Sequence, residues 1–299
     1  MTKTLPFQPV LSCQPLVVPF FDEGTYTFTY VVRDPQSNAC AIIDSVMEFD
    51  YSAGETRYQG ADRIIRYVQE HQLQLQWILE THVHADHLSA APYIQERLGG
   101  KLAIGKNIVQ VQEVFGRIFN ESDDFKRDGS QFDQLLGDGD QMSIGGMTVY
   151  ALHTPGHTPA CMSFVIGDAV FVGDTLFMPD SGTARADFPE GDAHQLYQSI
   201  QRLFLLPDQM RVFMCHDYGE GRSAQNESTI ADERKSNIHI NSTVTEEAFV
   251  AMRKARDATL AVPRLIFPSL QVNMRAGHLP EPENNGRVYF KLPINLWSH

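Results

Sequence analysis

Four side chains within six residues of this chain are of the kinds that bind metal ions. The segment Thr81-His82-Val83-His84-Ala85-Asp86-His87 carries three imidazoles and one carboxylate. Such ligands suit zinc, iron or manganese. Three more candidates follow. His157 lies in His153-Thr154-Pro155-Gly156-His157-Thr158, Asp174 closes Phe171-Val172-Gly173-Asp174, and His216 closes Phe213-Met214-Cys215-His216. Each of the three alone is more readily a structural residue. Together with the first group they point to a metal centre, because each sits at the end of an apolar run beside small or turn-forming neighbours. A polar loop with chance histidines accounts for the first group but not for the rest. The other histidines lack such a setting. His71, His194, His239 and His278 read as surface or packing residues, His299 as a free terminus, and His153 as a structural neighbour of His157. Cys215 adjoins His216, yet Cys13, Cys40, Cys161 and Cys215 contain no C-x-x-C pair, so buried reduced thiols are expected.

Strands must deliver these groups. Thr25 to Val32 is rich in β-branched and aromatic residues and predicts a strand. Cys40 to Asp44 predicts a second, and Leu75 to Glu80 a third that ends just before the first histidine. Ala61 to Leu73 carries a helical stripe of Ile64, Ile65, Val68 and Leu73. Leu88 to Leu98 reads as a helix stopped by Gly99-Gly100. Gly145-Gly146 and Gly167-Asp168 each separate two apolar runs and predict hairpins. A helix is expected from Ala193, with Asp192 as its N-cap. Arg211 to Cys215 predicts the strand that delivers His216. The polar stretch from Asn120 to Gln134 reads as a surface loop, Glu246 to Leu260 as a helix, and Pro263 to Pro293 as a Pro-rich tail. Strands followed by helix, twice, indicate an α/β chain with layered sheets.

The chain has 299 residues, enough for one large domain or two medium ones. Its formal charge is −13. A broad acidic surface repels phosphate backbones and anionic membranes, so neither nucleic acid nor membrane is an expected partner. It does not exclude an anionic small substrate, because a few local arginines can reverse the field in one pocket. No apolar run approaches the roughly 20 residues of a membrane span. Met1 to Pro6 has no apolar secretion segment, so a cytoplasmic location is expected. A homodimer is compatible with the sequence and not fixed by it.

The strings T-H-V-H-A-D-H, H-T-P-G-H-T and V-G-D-T, then the late H-D-Y, resemble the metallo-β-lactamase superfamily in spacing and order, over at least Thr25 to Tyr218. The resemblance implies an αββα sandwich with its metal site at one edge between the sheets. Residues 1–235 would form that catalytic domain, and residues 236–299 a helical, Pro-rich C-terminal lobe packed on it. Within the superfamily the chain is most similar to the bacterial persulfide dioxygenases. The similarity lies in H-T-P-G-H-T-P-A-C, in G-D-T-L-F, in G-T-A-R-A-D-F from Gly182 to Phe188, and in Cys215-His216-Asp217-Tyr218. The tail from Asn273 to Pro282 and from Lys291 to Asn295 resembles the longer bacterial members. One departure stands out: Ala186 occupies a place where those members often carry cysteine.

That resemblance implies one iron(II) per chain, held by His82, His157 and Asp174, with His84 as a further ligand candidate. Such a triad leaves three positions open, enough for a persulfide sulfur and dioxygen side by side. The implied reaction converts glutathione persulfide to sulfite and glutathione. Glutathione has two carboxylates, so Arg185 is an expected substrate contact, its other role being an internal ion pair with Asp187. Tyr218 is a further contact, with Arg275 and Lys291 behind it. The alternative is a thioester hydrolase like glyoxalase II, or a lactonase, with two zinc ions. His82, His84 and His157 would hold one, Asp86, His87 and His216 the other, and Asp174 would bridge them. With one metal, Asp86, His87 and His216 would instead support the site from outside it. A non-catalytic protein on this fold would be expected to lose ligands, and every ligand type is present. The ligand types do not choose between iron and zinc.

Overall fold

A computed structural model describes residues 4–219 and 221–296; His299 and the first three residues lie outside the described part. The first half runs β1 (Leu16–Asp22), β2 (Thr27–Arg33), β3 (Ala39–Ile43), β4 (Val46–Asp50), β5 (Glu55–Arg57), α1 (Gln59–Glu70) and β6 (Gln74–Leu79). It continues with β7 (Leu88–Ser89), α2 (Ala91–Leu98), β8 (Lys101–Gly105), α3 (Ile108–Ile118) and β9 (Gln134–Leu136). The second half runs β10 (Gln141–Ile144), β11 (Met147–His153), β12 (Met162–Ile166), β13 (Ala169–Phe171), α4 (Ala193–Leu203) and β14 (Arg211–Phe213). Then follow β15 (Glu227–Thr229), α5 (Ile230–Ser236), α6 (Glu246–Asp257) and α7 (Ile266–Asn273).

One sheet has the order β1-β2-β3-β6-β8-β9 and the other β10-β11-β12-β13-β14-β15. In the first, β3, β6, β8 and β9 run parallel, so their C-terminal ends share one edge. In the second, β13 and β14 form the one parallel pair and bring Asp174 and His216 to neighbouring ends. The sheets face each other across a core that includes Phe28, Ile43 and Leu79 from one and Phe164, Phe171 and Phe213 from the other. The other face of the first sheet packs on α1, α2, α3 and α7 through residues such as Ile64, Ile94, Phe115 and Leu270. The other face of the second packs on α4 and α6 through Leu196, Ile200 and Phe249. The layers are therefore helix, sheet, sheet, helix, as expected. Truncating one of the buried phenylalanines to alanine typically costs about 3–5 kcal/mol, so the two sheets hold the site on a stiff frame.

The local expectations hold where the signal is local. Asp192 caps α4, its Oδ1 accepting from Gln195 N at 2.8 Å. Gly167 takes a positive φ in the β12–β13 turn. Other elements differ or carried no expectation, α3 and α5 among the latter. β1 contains Pro19, which a strand tolerates here because β1 is the sheet's edge. Leu88 and Ser89 pair with β4 as a short strand, and α2 begins only at Ala91. Part of the Pro-rich tail is the helix α7, whose Pro268 falls in the first turn, where its missing N–H costs nothing. The segment after residue 236 folds onto both outer layers: Phe249 joins the α4 side, and Ile266, Leu270 and Val272 join the α1–α3 side. No helix among the described residues is long and apolar enough to cross a membrane.

Candidate metal centre

The loop that follows β6 holds His82, His84, Asp86 and His87, and the three imidazoles are all at most 1% exposed. Polar groups buried this deeply need partners. Asp44, at the end of β3, anchors the loop by accepting from Thr81 N at 2.8 Å and Thr81 Oγ1 at 2.9 Å. It also faces His84 Nε2 at 3.1 Å. Glu80 accepts from Ser89 Oγ at 2.6 Å and ties the two ends of the loop together. Asn273, the last residue of α7, reaches in from the far end of the chain. Its Nδ2 donates to His84 O at 2.9 Å and His87 O at 2.8 Å, and its Oδ1 accepts from Ser89 N at 2.8 Å.

His157 and Asp174 each follow a glycine that nothing else can replace. Gly156 has φ +136, and a Cβ there would lie 2.2 Å from Leu196 N. Gly173 has φ +54, and a Cβ there would lie 2.5 Å from Thr81 Oγ1. These close approaches seat His157 against the start of α4 and Asp174 against the first ligand loop. His216 follows β14 and bridges to Thr27 at the start of β2, so the second sheet hands it across to the first.

The seven candidates converge. His82 Nε2 and His157 Nε2 lie 3.7 and 3.6 Å from the same oxygen, Asp174 Oδ2. The other oxygen, Asp174 Oδ1, faces His216 Nε2 at 3.3 Å, and Asp86 Oδ2 lies 3.0 Å from that nitrogen. Among the described residues four overlapping groupings come within ligand reach. Two of them divide the seven candidates, His82, His157 and Asp174 in one and His84, Asp86, His87 and His216 in the other. The remaining two add Cys215 to His84, Asp174 and His216, and join Asp44 and Glu80 to His84.

The residues fit a metal by a test independent of those distances. Each imidazole spends one nitrogen on the protein. His82 Nδ1 faces Thr81 Oγ1 at 3.0 Å, His157 Nδ1 donates to Arg185 O at 2.8 Å, and His216 Nδ1 meets Tyr26 O at 3.2 Å. The opposite atoms, His82 Nε2, His84 Nδ1, His87 Nε2 and His216 Nε2, are buried without a hydrogen-bond partner, as are Asp86 Oδ2 and Asp174 Oδ1. A buried polar atom left unpartnered typically costs about 1–3 kcal/mol. Six that face one another make sense as ligands whose outer nitrogens are held by the protein to fix tautomer and aim.

The electrostatics make His82, His87 and Asp86 ready ligands and leave His84 and His216 with a proton that a bound metal would displace. Burial, with neighbouring imidazoles adding to it, holds His82 well below the usual imidazole range and His87 below it, leaving neutral rings able to ligate. Burial works against the charge on Asp86, but His216 and His87 keep its carboxyl far below the ordinary range. Burial likewise opposes charge on His84 and His216, yet Asp44 and Asp86 respectively hold these two well above the usual value.

The centre opens into a cavity of about 830 Å³ lined by His157, Asp174, Phe177, Arg185, Phe188 and Tyr218 among others. Tyr218 stacks on His216 at 6.2 Å with 51% of its surface exposed, and desolvation of its hydroxyl raises its phenol above the ordinary value. Arg185 lines the cavity, but its guanidinium is committed. Nε and Nη2 grip Asp187 at 2.6 and 2.8 Å, and Nη1 donates to Ala261 O at 2.7 Å. The internal ion pair is thus the role seen for it, with a strap to the α6–α7 linker that the sequence did not suggest. Arg275 is not among the cavity residues. It pairs with Glu121 and lies over the Phe125 ring, because the end of α7 turns that side chain towards the α3 side. Lys291 Nζ donates to Asn120 O beside the same Glu121. His153 is structural, held by Pro159 O and Asn107, and His194 pairs with Glu246. His239 is buried and accepts from Thr183 N through Nδ1. Sequence reasoning passed over Asp44, Glu80 and Asn273. Asp44 and Glu80 each stand at a strand end, but nothing local showed which groups they would hold, and nothing local marked Asn273 at all.

Comparison with known proteins agrees with this geometry. Residues 22–216 match the family model described as the metallo-beta-lactamase superfamily. A probable metallo-hydrolase of Burkholderia pseudomallei is 54% identical over 287 residues, covering 92% of this chain and 98% of that one. The mitochondrial persulfide dioxygenase ETHE1 of Mus musculus is 30% identical over 260 residues, covering 86% and 87%. The crystal structure of ETHE1 from Myxococcus xanthus superposes with a TM-score of 0.71 at 29% identity, over 88% of this chain and 100% of that one. Layer order, ligand convergence at the sheet ends and the matched span lead to one conclusion: the chain belongs to the metallo-β-lactamase superfamily and carries that superfamily's metal-binding site.

Proposed function

We propose that the protein is a persulfide dioxygenase that uses one iron(II), held by His82, His157 and Asp174, to oxidise glutathione persulfide. One dioxygen and one water are consumed per persulfide, and the products are sulfite, glutathione and two protons. The observation that carries this reading is the meeting of His82 Nε2 and His157 Nε2 on the single oxygen Asp174 Oδ2. Two imidazoles and one carboxylate would hold such an ion and would leave it able to take substrates as further ligands. The likeness to persulfide dioxygenases in sequence and fold supports it. The iron, when bound, supplies the one-electron and oxygen chemistry that side chains lack.

The chain's own residues position and shelter. His157 takes its aim from the Arg185 carbonyl, so the Arg185–Asp187 pair and the strap to Ala261 hold both the ligand and the cavity wall. Phe188, edge-on to His157 at 5.5 Å, keeps water from that side of the ring. Tyr218 keeps its proton through the physiological range and can donate it as a hydrogen bond to a substrate entering beside His216. With glutathione persulfide the purified protein should take up oxygen and release sulfite. Rapid hydrolysis of S-lactoylglutathione with no oxygen uptake would overturn the proposal.

A second reading has its own support. Asp174 presents Oδ1 to His216 while Oδ2 faces the first pair, as a bridging carboxylate would, and the second grouping keeps four unpartnered atoms. That arrangement suits two metals and a hydrolytic reaction on a thioester or lactone, in line with the metallo-hydrolase name of the Burkholderia relative.

A further inference from the structure

Four arginines line the cavity: Arg185, Arg253, Arg256 and Arg264. Two are spent on the protein. Arg185 grips Asp187, and Arg253, buried in α6, pairs with Asp257 and donates to Thr183 O at 3.1 Å. Arg256 and Arg264 are exposed, and among the described residues neither side chain has a carboxylate partner or a hydrogen bond. The cavity's carboxylates do not balance them. Asp86 and Asp174 face the histidines, and Asp180 is taken by Arg222. In a chain of net charge −13, this wall carries free positive charge.

We infer that Arg256 and Arg264 form the subsite that takes the carboxylates of the substrate, and that the cavity selects thiol derivatives bearing two or more of them. The inference rests on the reading of this cavity as the substrate site and holds for either reaction. A plainer account covers only half of the pair. Arg256 lies in the last turn of α6, where a cation offsets the helix dipole. Arg264 lies past the end of α6 and before α7, where no such account applies. The cavity volume of about 830 Å³ is at the upper end of the range for whole organic ligands. It is far larger than a persulfide group and dioxygen require, so most of it must accommodate the part of the substrate that does not react. Phe177, Ile238, Leu260 and Pro263 offer that part apolar contact, and two free guanidiniums offer bidentate grips for planar anions. Both arginines belong to the segment beyond the span shared with the superfamily as a whole, which ends at residue 216. The wall thus lies outside the span that the superfamily as a whole shares, which holds the metal centre.

The test is calorimetric titration of the metal-loaded protein with S-methylglutathione, which neither reaction consumes, and with its dimethyl ester. Arg256→Ala and Arg264→Ala should each weaken binding of the acid about tenfold, the loss expected for one charge-assisted contact. The ester should bind the wild type no better than the acid binds the double variant. Wild-type affinity in a double variant that folds and holds metal normally would overturn the inference. So would equal binding of ester and acid, or no binding of S-methylglutathione by the wild type. The reaction stands or falls separately. Arginine-dependent binding without oxygen uptake keeps this subsite and moves the chemistry to hydrolysis, whereas oxygen uptake with arginine-independent binding keeps the dioxygenase and removes the subsite.

Discussion

Asn273 is the most informative single residue to change, because one amide holds three backbone groups of the ligand loop from 184 or more residues away. Asn273→Ala leaves Ser89 N, His84 O and His87 O buried without that partner. Each such loss costs about 1–3 kcal/mol. Asn273 itself is 5% exposed, so bulk water does not reach the gap freely, although a trapped water can recover part of the loss. The expected destabilisation is therefore about 3–5 kcal/mol, short of the simple sum. The same bonds aim His84 and His87, and loosening a support of this kind typically costs about 10–100-fold in metal affinity. Chemical denaturation of metal-free protein reads the first quantity, and chelator competition at equilibrium reads the second. The metal-loaded protein should lose more stability than the metal-free protein by the free energy of the weakened binding. Asn273→Asp should fare no better than alanine, since it keeps the acceptor for Ser89 N but sets a carboxylate against two carbonyl oxygens. An Asn273→Ala variant that keeps wild-type metal affinity and loses under about 1 kcal/mol would refute the clamp.

Two further predictions follow from the geometry. Asp174→Ala should abolish both metal retention and turnover, whereas His216→Ala should keep close to one metal per chain with reduced activity; elemental analysis alongside oxygen uptake measures both. Two metals in the wild type, falling to one in His216→Ala, would favour the two-metal hydrolase instead. Away from the site, Glu233 is fully buried, and burial pushes its carboxyl up from 4.5 to about 7. Between those values the folded chain holds a proton that the unfolded chain has released, so stability falls as pH rises through the window. The cost is fully felt above pH 7, at about 3 kcal/mol. Glu233→Gln retains an acceptor for Asn237 Nδ2 and should remove that cost, narrowing the gap between unfolding free energies at pH 5 and pH 8. An unchanged gap would show that Glu233 is not the group responsible.

What could be read from the sequence alone was whatever is written within a few residues. The ligand loop was legible because a strand end concentrates its side chains in one short string from His82 to His87. His157, Asp174 and His216 were legible because each ends its own apolar run, and the Asp192 cap because its partner lies three residues on. Arg185 and Asp187 are two residues apart, so their pairing could be named in advance. The tertiary structure alone decided the rest. A charge in the sequence does not say which way its helix will turn, so Arg275 goes to Glu121 while Arg256 and Arg264 line the cavity. Gly156 and Gly173 read as turn residues, and only the packing of α4 and the ligand loop shows that a single Cβ would not fit. Asp44, 40 residues before His84, and Asn273, 189 residues after it, carry no local mark of their roles. Their hydrogen bonds exist only because burial takes the ligand loop out of water and obliges its polar groups to find partners wherever the folded chain brings them.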